Sequence, residues 1–255
     1  MSRRNRQPEG AQIRPNERPE SYDTALPTLE TRELRRLLGE FLNRVVTDPI
    51  TGLPKKVGDY KWGVYAFYDY DGEPIYVGQT NARLRDRIRR HLTNQRTDAV
   101  AMNVLDPFEV FEVAVWPLPE YEGVQRSDPR AQAHLNSLEY AVFHAALRTS
   151  KFRAVLNEKP PPNPTVGISL AAPMARGRIV PDHVLEIRGH PDYRIARRAA
   201  TLARLAQVIS ERKVGIGLRR TLVTQAKRLQ WLAEQRLAGL EVTAAHAEED
   251  AEEEV

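Results

Sequence analysis

Residues 63–80 contain two short apolar segments separated by a cluster of turn-forming residues. Val64 to Phe67 alternate in the manner of a strand, and Ile75 to Val77 form a matching return segment. The intervening residues 71–74 read Asp-Gly-Glu-Pro, a composition typical of a tight hairpin turn. The segment therefore predicts a β-hairpin, and with it an antiparallel sheet at the centre of the fold.

Segments with helical periodicity lie on both sides of this hairpin in the sequence. Apolar residues recur at spacings of three and four in residues 31–46, 84–92 and 133–148, which predicts three amphipathic helices. Thr31 is the expected N-cap of the first helix. Residues 108–116 are rich in Val and aromatic side chains and predict a third strand. The fold class is therefore α+β, a small antiparallel sheet of about three strands flanked by helices.

Changes in composition divide the chain into six segments. Beyond the central domain, Gly215 to Gly217 separate two predicted helices, 192–213 and 218–240, which should form a C-terminal helical hairpin. The expected segments are a disordered basic arm (1–27), an N-terminal helix and loop (28–60), the central domain (61–160), a Pro-containing linker (161–190), a basic helical region (191–242) and an acidic tail (243–255).

The composition excludes several classes of chemistry. There is no cysteine, so disulfides, cysteine nucleophiles and thiolate zinc sites are absent. The six histidines are scattered, which favours oxygen-ligated Mg²⁺ or Mn²⁺ for any metal. No apolar run approaches the roughly 20 residues of a membrane span. We expect a cytoplasmic protein that is associated with the nucleoid and does not insert into a membrane.

The charge distribution points to a polyanionic partner. Leaving out the six acids of residues 248–254 raises the net charge from +4 to +10. Residues 194–236 hold eleven basic residues and two acidic ones. One interpretation is that these helices clamp a DNA backbone. The alternative is a helical hairpin with a solvated polar face that docks on the core or dimerises, and the sequence leaves both open.

Five short motifs occur in one order. Gly63-Val64-Tyr65 is followed by Tyr76-Val77-Gly78, then by Arg87 and His91 in an Arg-x-x-x-His pattern, then by Glu139 and Asn157. The series resembles the GIY-YIG nuclease family, with Val in place of Ile in both tripeptides. Arg83 and Arg85 compete with Arg87 on spacing. The long interval before Glu139 suggests an inserted loop near residues 119–132.

The resemblance implies roles for these side chains. Arg87 would bind the phosphate and Glu139 would hold Mg²⁺ or Mn²⁺. Either Tyr65 or Tyr76 would relay a proton from water, and the sequence does not distinguish them. His91 lies four residues after Arg87, on the same helix face, and could position or deprotonate the nucleophile. The late asparagine of the family corresponds to Asn157, although this residue could simply close a loop.

These features predict a metal-dependent endonuclease that hydrolyses phosphodiester bonds of double-stranded DNA. In its size and its Arg-x-x-x-His pattern the chain resembles the small GIY-YIG type II restriction endonucleases, and this resemblance implies a restriction or defence type. The alternatives are a homing- or repair-type nuclease and a non-catalytic DNA-binding protein. One active site cuts one strand, so a homodimer is a further expectation. The residues expected to bind DNA are Arg85, Arg89, Arg90, Arg197, Arg204, Arg219, Arg220 and Lys227.

Overall fold

The computed structural model describes residues 27–93, 104–164 and 167–253. Within these ranges the chain forms six helices and six strands. The helices are α1 (Leu29–Asn43), α2 (Leu84–Leu92), α3 (Pro129–Thr149), α4 (Asp182–Arg188), α5 (Pro191–Glu211) and α6 (Ile216–Glu253). The strands are β1 (Val45–Thr47), β2 (Pro54–Lys56), β3 (Gly63–Tyr68), β4 (Pro74–Thr80), β5 (Glu112–Pro117) and β6 (Ala175–Arg178).

The central sheet has the strand order β4-β3-β5-β6, and every pairing is antiparallel. The predicted hairpin and the α+β class are confirmed. The sheet has four strands, however, where about three were expected. The additional strand β6 lies in residues 161–190, so the expectation of a linker there is wrong, and α4 also lies in this range. The Arg-Gly-Arg sequence of β6 lacks β-branched and aromatic residues, which is why periodicity did not reveal it.

The turn of the β3–β4 hairpin is fixed by local chemistry. Gly72 adopts a φ of 70°, which glycine reaches without steric cost. One carboxylate oxygen of Asp69 accepts hydrogen bonds from the backbone N–H groups of Asp71 (2.9 Å) and Glu73 (3.0 Å). The turn therefore holds the two strands in the register that pairs Tyr65 with Gly78.

Alternate residues of β3 bury themselves on opposite faces of the sheet. Tyr65 and Phe67 pack in the core beneath α1 and α2. Val64 and Ala66 pack in a second core beneath α3. This period of two makes β3 the centre of both cores, so the sheet and its flanking helices form one structural unit.

Several boundaries in the structure differ from the predicted ones. The first helix begins at Leu29, so Thr31 lies inside it and is not the N-cap. Residues 119–132, expected to be an inserted loop, contain a 3₁₀ turn at Pro119–Tyr121 and the first turn of α3. The last helix continues to Glu253, through much of the predicted acidic tail. The predicted N-terminal arm lies almost wholly outside the described residues.

The C-terminal helices dock on the central domain through buried ion pairs. Arg198 on α5 contacts Asp69 (3.0 Å) and Glu109 (2.9 Å). Arg228 on α6 contacts the same two carboxylates at 2.8 and 3.3 Å. Arg194 is paired with Asp71 in addition. Of the two interpretations of the basic helices, docking therefore accounts for these three arginines. None of the described helices is both long and apolar enough to cross a bilayer.

Candidate active site

A polar cleft of about 430 Å³ opens between β4, α2, α3 and the segment that follows α3. Its wall includes five of the six predicted catalytic residues, which are Tyr76, Arg87, His91, Glu139 and Asn157. They come from four separate parts of the chain and span more than 80 positions in the sequence. The fold therefore brings the predicted set to one surface, with Tyr65 as the exception.

Neighbouring apolar residues orient the polar side chains of the two helices. On α2, Ile88 is fully buried, and it anchors the helix so that Arg87 and His91 line the cleft. On α3, Leu138 and Val142 face the second core while Glu139 reaches the cleft. In each helix, an amphipathic pattern fixes which side chains remain available for chemistry.

Tyr65 lies beneath the cleft and does not line it. Its side chain is fully buried, whereas Tyr76 is half-buried in the cleft wall. The ring centroid of Tyr65 lies 6.3 Å from that of Tyr76 and 5.8 Å from that of His91. The rings of Tyr76 and His91 are closer still, at 5.0 Å. The three rings form one aromatic cluster, in which Tyr76 and His91 present the surface that a substrate can reach.

Gly78 leaves room for this arrangement. A Cβ atom at position 78 would collide with the hydroxyl oxygen of Tyr65 and lie 3.0 Å from a ring carbon of Tyr76. We expect Gly78→Ala to displace the Tyr65 ring and to lower the free energy of unfolding by about 1–3 kcal/mol. The matched control is Gly123→Ala, because Gly123 has open space around the same position. Equal unfolding midpoints for the two variants in urea would contradict the close packing.

Glu139 is a half-buried carboxylate beside one arginine. Burial raises its pKa to about 7, and the positive charge of Arg87 only partly opposes this shift. Neither a hydrogen bond nor an ion pair to Glu139 occurs within the described residues. Arg87 has a corresponding feature, because its Nε atom is buried and has no hydrogen-bond partner among those residues. Both side chains line the cleft, and each is partly exposed.

The raised pKa predicts a pH-dependent cost to stability. Since the folded pKa exceeds the ordinary value of 4.5, the charged carboxylate opposes folding above about pH 7, and this cost is absent below about pH 4.5. We expect Glu139→Gln to raise the free energy of unfolding by about 1–2 kcal/mol at pH 8 and by little at pH 5. Urea unfolding in EDTA at both pH values tests this. An equal effect at the two pH values would contradict it.

Asn157 bonds to the backbone of the edge strand β4. Its side-chain oxygen accepts from the N–H of Val77 (3.0 Å), and its side-chain nitrogen donates to the carbonyl of the same residue (2.6 Å). The N–H of Leu156 donates to the carbonyl of Ile75 (2.8 Å). The segment thus bonds to part of the edge of β4 along one side of the cleft, and Asn157 holds this part of the wall in place.

Other residues of the cleft wall lie outside the predicted catalytic set. Gln79 and Lys159 are polar, and both adjoin assigned motifs, which is the signal that could have found them. Val104 and Leu105 carry no such signal, and α6 fixes their position because the Gln225 side chain donates to the carbonyl of Val104 (3.1 Å). The C-terminal helices therefore support the cleft from behind.

The residues predicted to bind DNA are distributed over several surfaces. Arg85 turns away from the cleft and donates to Asn43 (2.9 Å) and to the carbonyl of Leu42 (3.2 Å). Arg197 makes two bonds to Asp106 (2.8 and 3.0 Å). Arg90 is exposed beside the cleft. The remaining candidates are exposed on α2, α5 or α6, and they are Arg89, Arg204, Arg219, Arg220 and Lys227.

The described residues contain no group of three or more acidic or histidine side chains that could enclose a metal ion. Glu139 is nevertheless suited to one, because it is a half-buried oxygen ligand without a cation within ion-pair distance. Mg²⁺ is commonly bound by one or two carboxylates and retains several waters. Glu158 lines the same cleft and is the other carboxylate within it.

An antiparallel sheet and its flanking helices place a phenol, an arginine and a half-buried carboxylate in one cleft. Residues 61–122, about a quarter of the chain, match the family model of the GIY-YIG catalytic domain. This domain implies a nuclease-type function and DNA binding. The matched segment contains Tyr65, Tyr76, Arg87 and His91, while Glu139 lies beyond it. Neither a curated protein nor a solved structure matches the chain significantly.

Proposed function

We propose that the protein is a metal-dependent endonuclease that hydrolyses phosphodiester bonds in double-stranded DNA. One observation supports this above all others. A single cleft holds Tyr76, Arg87 and Glu139 together, and the Glu139 carboxylate makes neither a hydrogen bond nor an ion pair within the described residues. Phosphodiester hydrolysis needs a positioned water, a cation fork on the phosphate and stabilisation of the leaving oxygen.

Each residue has a proposed part in the reaction. Arg87 donates to two oxygens of the scissile phosphate through its guanidinium group. Tyr76 and His91 orient the attacking water, and His91 accepts its proton. Tyr65 positions the rings of Tyr76 and His91 from beneath, and Asn157 holds β4 in place. The structure therefore favours Tyr76 over Tyr65 as the tyrosine that contacts the reacting groups.

We propose Mg²⁺ or Mn²⁺ as the cofactor, held by Glu139. When bound, such an ion neutralises charge on the phosphate and acts as a Lewis acid. Ionised Glu139 is needed for this, and a nearby divalent charge would favour the ionised form. The restriction or defence type remains our proposal for the biological role. The supporting feature is the Arg-x-x-x-His pattern on α2.

Cleavage of supercoiled plasmid and of phage DNA, modified and unmodified, tests the proposed function. Wild type is expected to cut with Mg²⁺ or Mn²⁺ and not with EDTA. Glu139→Ala is expected to lose cleavage while retaining DNA binding and a native circular dichroism spectrum. Discrete fragments would support restriction-type specificity, whereas nicking or smearing would favour a repair role. Full activity of Glu139→Ala, or metal-independent cutting by wild type, would overturn the proposal.

A further inference from the structure

A second polar cleft of about 390 Å³ adjoins the first. The two clefts share Arg87 and Gln79 in their walls. Because Arg87 is the proposed phosphate ligand, a nucleic acid strand that places its scissile phosphate there must continue past this residue. The second cleft, with a volume in the range typical of small-ligand sites, lies beside that point.

Cations dominate the charge of the second cleft. Arg90 from α2 and Arg126 from the segment before α3 are exposed side chains in its wall, in addition to Arg87. Asp86 is the acidic residue among the lining side chains that the structure describes. Three guanidinium groups against one carboxylate suit a bound phosphate.

The same cleft contains a row of side-chain amides whose orientations are fixed. The Nε2 atoms of Gln79 and Gln132 both donate to the Asn136 side-chain oxygen, at 3.1 and 2.8 Å. Asn81 donates to the Oε1 atom of Gln132 and to the carbonyl of Arg126, both at 3.3 Å. The Oε1 atom of Gln79 is left buried without a hydrogen-bond partner among the described residues. Planar amides held in this way match the donor and acceptor edges of nucleobases.

We propose that the second cleft binds the nucleotide next to the scissile phosphate on the same strand. Arg90 and Arg126 bind the backbone phosphate of that nucleotide. Gln79 and Gln132 face its base and supply polar contacts to the base edge. This inference rests on the proposed nuclease function, and it makes the amide row a determinant of which base lies beside the cut.

The first test measures binding in the absence of cleavage. The probe is a fluorescein-labelled DNA duplex, titrated in EDTA with the full-length Glu139→Gln protein at several salt concentrations. Adding Arg126→Ala is expected to weaken binding about tenfold and to reduce the slope of log affinity against log salt by about one. The matched control is Arg130→Ala, because Arg130 is also exposed but lines neither cleft. Equal affinities and salt slopes for the two variants would overturn the phosphate assignment.

The second test addresses the base. Sequencing the ends that each metal-loaded enzyme produces from randomised DNA gives the preference at every position around the cut. Gln132→Ala is expected to relax that preference about tenfold at one position adjacent to the cut, in a protein that keeps its native circular dichroism spectrum. An unchanged preference at every position would overturn the base assignment. Failure of wild type to cleave would instead overturn the nuclease proposal, and the binding test would still decide whether the cleft holds a nucleotide.

Discussion

Replacing Asp69 with Asn is expected to lower the free energy of unfolding by about 3–5 kcal/mol. Asp69 belongs to a four-residue ion cluster with Glu109, Arg198 and Arg228, whose side chains are only 1–6% exposed. The substitution keeps the shape of the side chain but leaves one buried positive charge without compensation. Urea denaturation followed by circular dichroism measures the change.

The decrease in the free energy of unfolding should exceed the decrease expected from two lost hydrogen bonds, because desolvated charges are involved. The cluster contains two carboxylates and two guanidinium groups, so its charges balance in the wild-type protein. The control is Glu40→Gln, which removes one partner of Arg36 in an exposed pair on α1. We expect no measurable change there, since solvent screens exposed pairs. A small effect for Asp69→Asn, equal to the control, would show that the cluster is solvated.

The same cluster should also affect how the stability of the protein depends on pH. Burial opposes ionisation of Asp69, but Arg228 and Arg198 outweigh it and lower the pKa of the carboxyl below its ordinary value. A lowered folded pKa stabilises the native state above the unfolded pKa, and this contribution is lost as the pH falls through the folded value. Asp69→Asn should therefore flatten the acid limb of the stability curve.

The position of this cluster links stability to the site. Asp69 ends the strand region that carries Tyr65, and the same residue fixes the hairpin turn that leads to Tyr76. Arginines from α5 and α6 thus hold the turn of the hairpin on which both tyrosines lie. The C-terminal helices therefore belong to the same structural unit as the candidate site.

Elements with a strong local pattern were predictable from the sequence. The hairpin around Gly72 and the α2 helix follow from turn chemistry and apolar periodicity, and both are confirmed. The β6 strand was not predictable, because its pairing with β5 is set by long-range contacts rather than by the propensities of Arg176 to Arg178. Composition alone could not separate docking arginines from exposed ones on α5 and α6. Arg198 and Arg204 look alike in the sequence, yet one is buried and the other exposed.

The residues of the candidate site likewise divide into those that the sequence predicts and those that it does not. Motif order predicted that Arg87 and Glu139 act together, and the cleft contains both. Gln79 adjoins the Tyr76-Val77-Gly78 motif, but a single amide after a glycine is too weak a pattern to assign it a role. Its significance depends on Asn136, which lies 57 positions away in the sequence.

Replacing Arg87 with Lys is expected to reduce the cleavage rate about 100-fold while changing DNA affinity little. Lysine keeps the positive charge but loses the planar fork that binds two phosphate oxygens. Single-turnover cleavage with saturating enzyme measures the rate, and fluorescence anisotropy in EDTA measures the affinity. Arg87→Met should lower the rate further and shift the pH profile of cleavage upwards, because the charge of Arg87 holds down the pKa of Glu139.

The arginine series also decides among the three candidates that the sequence left open. Arg85→Lys is expected to reduce stability rather than the cleavage rate, because the Arg85 guanidinium ties α2 to α1 through Asn43 and the carbonyl of Leu42. Arg83→Lys is expected to change neither, since Arg83 is exposed and lines neither cleft. A rate loss in Arg85→Lys or Arg83→Lys, with Arg87→Lys fully active, would transfer the phosphate-binding role to another position. All three arginines lie within five residues of one another in the sequence. An effect on the cleavage rate at one position and on stability at another would therefore be evidence for the geometry of the cleft.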